Sequence, residues 1–415
     1  MDIAAWQALH QEQPDRLIST FRERLPLLSE DQHRAVWAWT TAADTARKPT
    51  TSGPLAGVPF AIKDLFHLAT VPTRGGGQLP AKTPRRHGAL VTDLEATGAF
   101  AVGKTHLHEY AYGLTGENPH FGNVAHPQFP DRTSGGSSSG SAAAVAAGIV
   151  PLALGTDTGG SLRVPAAYCG LYSWRDVPHD RWISDAMPLA PSFDTAGWLT
   201  RSAGDLRRVQ ESLRGPLPPV ATTPRGGYLP AAAMDVSVAP PWDNALGQRA
   251  AKFTAETLDE HGDLASAVTG SGQPYSILQS TEAFAVHQTT LDRSKAVYGD
   301  AVWARINRGR TWSAAQLEGA LVHQLKVKLA FARYFETHDF LIMPVAPSPA
   351  PRHTECDQPQ RDALLALTTP VSLAGLPALT VPISLPDGLS LGLQIIFPSA
   401  HHAALNWVLD RCNNC

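Results

Sequence analysis

Residues 133 to 170, TSGGSSSGSAAAVAAGIVPLALGTDTGGSLRVPAAYCG, set two glycine pairs ahead of serines and join them by a small-residue helix and an apolar run. Gly135 and Gly136 present Ser137, and Gly159 and Gly160 present Ser161. Paired glycines permit backbone conformations and close approaches that a Cβ would block, at a cost in chain entropy that favours a functional reason. A serine hydroxyl is a weak nucleophile at neutral pH and needs a base within hydrogen-bond reach. Lysine is scarce here beside arginine, and Lys63 stands with Asp64 at the end of the apolar run 58–62 in PLAGVPFAIKDLF. The end of a buried strand is where open α/β sheets place ligands and chemistry. A serine–lysine pair works if the lysine is neutral, which requires burial or positive dipoles to lower its pKa. From the residues alone, Lys63 is either that base or a solvated strand-end lysine.

Other chemistries fit less well. Gly136-Ser137-Ser138-Ser139-Gly140 matches G-x-S-x-G formally, but a nucleophile elbow needs a buried strand just before it, and AHPQFPDRT is not one. His106, His108 and Glu109, with His120 and His126 further on, lack the i, i+4 histidine pair of a helical zinc site, so no metal is expected. No phosphate loop or Ser-x-x-Lys motif is present, and no organic cofactor is implied.

The elements that must position these groups follow from periodicity. From about 4 to 46, apolar positions at helical spacing (Leu17, Phe21, Leu25, Leu28, then Val36, Trp37, Trp39) predict two packing helices, ended by a Pro/Thr/Ser/Gly break at 48–54. Residues 58–62 predict a strand, and 88–104 a helix followed by a strand. SFDTAGWLTRSAGDLRRVQESL runs from a loop into a helix, with Ser202 as N-cap and Asp205 in its first turn. The stretch 215–241 reads as a connection; 243–265 and 279–337 read as mostly helical, with 270–274 between them. DFLIMPVAPSPAPR gives a buried strand, and ALTVPISLPDGLSLGLQIIFP two apolar strands across a Pro-Asp-Gly turn, before a last helix near 403–410. Strands early and late with helices between predict an α/β fold. We expect a single domain over 1–415: an N-terminal helical segment at 1–50, a core at 54–210, a mainly helical insertion at 215–340, and strands and a helix at 340–415 returning to the core.

A chain of 415 residues, 43% hydrophobic and 17% charged, with net charge −3, is globular with a full core. It shows no electrostatic footprint for nucleic acid or an anionic membrane. Four cysteines lack paired metal spacing except a weak CxxC at Cys412 and Cys415. No signal-length apolar segment opens the chain and no run of uncharged apolar residues is long enough to span a bilayer, so a cytoplasmic setting is expected.

Taken together, GGSSSGSAAAVAAG and LGTDTGGSLRVPAAYCG closely resemble the defining signature of the amidase signature hydrolases. The resemblance extends in family order through PLAGVPFAIKDLF, GKTHLHEYAYGLTGENPHFGN, APSFDTAGWLTRSAGDL, DFLIMPVAPSPAP, SLAGLPALTVPI and GLQIIFP. It implies a single large mixed β-sheet covered on both sides by helices. It also implies catalytic roles for Lys63 as base, Ser137 as bridging serine on a cis peptide bond, and Ser161 as nucleophile. The implied reaction is hydrolysis of a small-molecule amide through an acyl-enzyme, without cofactor. Backbone N–H groups of Thr158, Gly159, Gly160 and Ser161 would hold the oxyanion, with Asp157 and Arg163 bracing the loop. Tyr110, Ala111 and Tyr112 fall in the segment that lines the acyl pocket in relatives, and Ser138 is a further candidate hydroxyl there. A homodimer is the assembly the resemblance suggests.

The chain also departs from the family pattern. Ser139 stands where glycine is usual, Ser134 where proline is usual, and His106 where asparagine is commoner. YSWRDVPHDRWISDAMPL replaces a lysine-proline-threonine turn and a glycine-rich stretch bordering the site. SFDTAGWLTR is similar to the branch containing indoleacetamide-type amidases. An allophanate or carboxybiuret-type hydrolase, a glutaminase subunit of a transfer-RNA-dependent amidotransferase, and a silent binding protein are the alternatives.

Overall fold

In the computed structural model, which describes residues 1–41 and 52–413, ten strands form one sheet. In chain order they are β1 (Trp37–Thr40), β2 (Pro59–Lys63), β3 (Phe100–Thr105), β4 (Leu152–Thr156), β5 (Tyr172–Arg175), β6 (Ala196–Thr200), β7 (Gly226–Tyr228), β8 (Phe340–Pro344), β9 (Ala378–Ser384) and β10 (Ser390–Ile396). Across the sheet the order is β1-β3-β2-β4-β6-β5-β9-β10-β8-β7. β2 lies parallel to β3 and β4, and β7 to β8; the other neighbours are antiparallel. Lys63 and Thr156 end the parallel neighbours β2 and β4, so the sheet delivers both to the same edge.

Strand alternation buries both faces of this sheet. Ala61, Ala153 and Leu199 pack with Ala142 to Val145 of the Ser139–Ala146 helix, whose small side chains let it lie close to the strands. Phe60, Ile62, Leu152, Leu154 and Trp198 point the other way, into a cluster with Leu206 and Val209 of the Ala203–Arg214 helix. That second helix begins as the sequence predicts, with Ser202 Oγ accepting from Asp205 N at 3.0 Å. The Ala89–Ala96 helix followed by β3, and the β9–β10 hairpin, also form where predicted.

Several segments differ from the sequence reading. Trp37 and Trp39 are not helical: the third N-terminal helix stops at Val36, and WAWT becomes edge strand β1 against β3. Aromatic residues suit a pleated, half-buried surface better than a helix interior. Within 215–241 the chain forms β7 and starts the Pro240–Ala250 helix; three residues, Gly-Gly-Tyr, carry too little pattern to announce a strand. AGWLT, read as loop, is β6, buried along its whole length. Residues 272–274 belong to the Gly272–His287 helix, since proline is accommodated in a first turn. No element is predicted over 358–374, yet Gln358–Ala374 is a helix, capped by Asp357 Oδ1 accepting from Gln360 N at 2.9 Å. Residues 42–46, most of the 48–54 break, and Cys415 of the CxxC lie outside the described residues. Among the described residues no helix is long and apolar enough to cross a membrane.

Candidate active site

Lys63 is completely buried at the end of β2. Its Nζ lies 2.7 Å from Ser137 Oγ, 2.7 Å from Thr156 Oγ1 and 3.0 Å from Ser138 Oγ. Burial lowers its pKa to about 7, against the opposing pull of Asp157 and Asp194. A neutral amine has two N–H groups and one lone pair. Ser138 Oγ donates to Thr156 O at 3.1 Å, so it accepts from Nζ. Ser137 Oγ and Thr156 Oγ1, both at 2.7 Å, are then the two hydroxyls that share the second N–H and the lone pair. Asp64, the neighbour of Lys63 in sequence, turns away and pairs with Lys104 Nζ at 2.5 Å.

Ser137 follows a cis Gly136–Ser137 peptide bond. Its carbonyl accepts from His108 N at 3.2 Å. Next to it, Ser138 N donates to the carbonyl of Ser161 at 3.2 Å, which ties the two serine loops together. Ser161 is buried and follows Gly160, whose φ of +121° is open to glycine and rarely to L side chains. The Gly160 N–H donates to Asp157 Oδ1 at 2.8 Å, so this member of the expected oxyanion group is already engaged. Thr158, Gly159 and Ser161 keep backbone N–H groups for which no acceptor is found among the described residues. Thr368 Oγ1, 2.7 Å from Gly159 O and 2.8 Å from Leu364 O, shares its proton between these carbonyls and so anchors the Gly159–Gly160 peptide whose N–H goes to Asp157.

Behind the loop, Asp157 is fully buried and held by two arginines. Arg163 donates from Nε to Oδ2 at 3.0 Å and from Nη2 to Oδ1 at 2.9 Å, a forked geometry. Arg175 Nη1 donates to Oδ1 at 2.9 Å and also bonds the Asp157 carbonyl. Burial alone would raise the carboxyl pKa, but the two guanidinium groups more than offset it and hold Asp157 well below the usual carboxylate range. Arg175 sits on β5, within the YSWRDVPHDRWISDAMPL segment that departs from the family pattern, so that segment contributes to the bracing. Asp194 accepts from Thr158 Oγ1 at 2.6 Å and from Leu189 N and Ala190 N; burial lifts its pKa to about 6 despite these donors. Thr156, Arg175, Asp194 and Thr368 are not legible as site residues in the sequence; polar types on otherwise apolar strands, as in YSWR, were the available signal.

The predicted substrate-binding residues separate. Tyr112 lines a cavity of about 650 Å³ together with Arg305, Arg308 and Arg361. Tyr110 instead packs its ring against His287 and Tyr298, with Leu79 N donating to its hydroxyl at 3.1 Å. Tyr110 and Ala111 both have positive φ, 48° and 61°, and this left-handed pair turns the chain between the two tyrosines. Ala111 is buried beside them and does not reach the cavity. Ser138 lies outside the cavity lining, its hydroxyl accepting from Lys63 and donating to Thr156 O. Of the histidines weighed as ligands, His120 Nε2 pairs with Glu109 Oε1 at 2.8 Å and His106 stacks on Phe121, and no cluster able to hold a metal occurs among the described residues.

A sheet-edge lysine thus meets a glycine-loop serine, with a second serine loop beside it, the arrangement expected from the sequence. The family model described as Amidase matches residues 18–231 and 248–405, and the chain belongs to that family. It is 31% identical to Amidase 1 of Oryza sativa subsp. japonica over 395 residues, covering 87% of this chain and 90% of the relative. A shorter stretch of 174 residues is 44% identical to indoleacetamide hydrolase of Pseudomonas syringae pv. syringae, covering 42% of this chain and only 38% of that protein. A solved amidase crystal structure superposes with TM-score 0.86 at 28% identity, over 99% of this chain and 100% of the other.

Proposed function

We propose that this protein is an amidase that hydrolyses a linear carboxylic acid amide to the acid and ammonia or an amine. The observation that carries the reading is a completely buried Lys63, with its pKa brought down to about 7, whose Nζ lies 2.7 Å from Ser137 Oγ. Neutral Lys63 takes the Ser137 proton as Ser137 takes that of Ser161, and Ser161 Oγ adds to the amide carbon. The oxyanion is held by the free N–H groups of Thr158, Gly159 and Ser161, where loss of one such donor costs about 3–4 kcal/mol. The proton then returns through Ser137 to the leaving nitrogen, the C–N bond breaks, and water cleaves the acyl-Ser161 ester by the same relay. Similarity to Amidase 1 over most of both chains supports this reading.

The test is to treat the purified protein with a fluorophosphonate and map the adduct by peptide mass spectrometry. The expected result is a single adduct on Ser161, absent from Ser161→Ala. An adduct elsewhere, or none on folded protein, contradicts the assignment.

A further inference from the structure

The cavity that Tyr112 lines is rich in positive charge, and Lys63, Ser137 and Ser161 lie outside its lining. Arg305, Arg308 and Arg361 all line it, while the single acid in its wall, Asp362, already accepts from Gln358 Nε2 at 2.6 Å. Arg305 gives Nη1 to the carbonyl of Tyr112 at 2.8 Å, and Arg308 stacks over the Trp312 ring. Neither Arg305 nor Arg361 has a carboxylate partner among the described residues, and no acceptor is found there for the Arg361 guanidinium. Guanidinium forks that line a concave site with no carboxylate to face are suited to a planar anion from outside.

Two helices tie this wall to the reacting groups. On Gly272–His287, Gln273 and Ser276 line the cavity while Tyr275, between them, turns inward. The Tyr275 ring is completely buried and its hydroxyl has no hydrogen-bond partner among the described residues. It lies so close over the nucleophile loop that a Cβ on Gly159 would fall 2.4 Å from the phenol oxygen. On Gln358–Ala374, Arg361 and Leu365 line the cavity, and one turn further Thr368 bonds the Gly159 carbonyl. Arg361 and Thr368 are seven residues apart, about 10 Å of helix. That separation is spanned by a small substrate and an extended arginine side chain together. His108 marks the same proximity from the other side: burial first, then the charges of Arg305, Arg361 and Lys63, hold its imidazole pKa well below the ordinary range.

We infer that this cavity is the acyl pocket and that the substrate is an amide whose acyl part ends in a carboxylate, gripped by Arg361 and Arg305. Hydrolysis of such a monoamide yields a dicarboxylate and ammonia, so the product carries the same recognition group as the substrate. The inference rests on the amidase reading above. The experiment measures how fast fluorophosphonate labels Ser161 in the presence of malonate, succinate or glutarate, with butyramide and indoleacetamide as neutral controls. At least one dicarboxylate is expected to slow labelling about tenfold or more where the neutral amides do not, the scale of a lost charge-assisted hydrogen bond. Each variant is compared with itself with and without dicarboxylate, so altered folding does not mimic the effect. Arg361→Gln removes the protection and Arg361→Lys restores part of it. If wild-type Ser161 is not labelled at all, the amidase reading fails and the inference with it. If Ser161 is labelled, but neutral amides protect as well as every dicarboxylate or protection survives Arg361→Gln, the inference alone is overturned.

Discussion

At the scale of single residues, the chemistry depends on which atoms around Lys63 can give and which can take a proton. Because burial brings its pKa to about 7, Lys63 is protonated and unable to act as base below that value, and free to act above it. The rate of amide hydrolysis per enzyme therefore rises with pH through about 7 and levels off, as a kcat/KM profile will show. Lys63→Ala loses about 10²- to 10⁴-fold in kcat/KM, the usual contribution of a positioned base. Ser138 and Ser137 are adjacent and both touch Nζ, yet their hydroxyl protons differ: that of Ser138 is committed to Thr156 O. Ser138→Ala is accordingly expected to cost only about tenfold, the value of one hydrogen bond to Lys63. Ser137→Ala, which breaks the relay, costs far more; equal losses in steady-state assays of the two variants contradict the assignment of roles.

At the scale of elements, the serine loops were legible because glycine–serine clusters flanking an apolar helix are costly in chain entropy and poor at filling a core, which leaves chemistry as their use. What braces them was not legible. Arg175 lies on β5, a four-residue strand, and its carboxylate partner Asp157 follows the end of β4. Nothing local in YSWR announces that pairing, since β5 and β4 are brought together only through β6. Arg175→Met leaves Asp157 with one cation in a dry site and is expected to lower unfolding stability by about 3 kcal/mol, readable as a fall in urea midpoint. A midpoint within experimental error of wild type would show that Arg163 alone suffices. The same limit explains the misread WAWT and AGWLT: both become strands through pairing, with β3 for the first and with β4 and β5 for the second.

At the scale of the whole molecule, one mixed sheet collects contributions from segments far apart in the chain. Lys63, Ser137 and Ser161 come from residues 63 to 161, and the sequence exposed them through spacing and through resemblance. Thr368 against Gly159 and Arg305 and Arg361 in the cavity come from helices in the later half. Those residues looked ordinary in sequence, because a binding wall is made by the mutual placement of helices and no local pattern encodes it. Tyr110 and Tyr112 show the same limit over two residues: a left-handed turn sends one into the core and the other into the cavity. The proposed chemistry turns on buried, neutral Lys63 driving Ser161 through Ser137. Its sharpest test is the pH dependence of the rate at which a fluorophosphonate labels Ser161, compared between wild type and Lys63→Ala. The expected outcome is a single rise near pH 7 in wild type and a slow rate without that rise in the variant. Lys63→Ala labelling at the wild-type rate, with the same pH dependence, would rule the relay out.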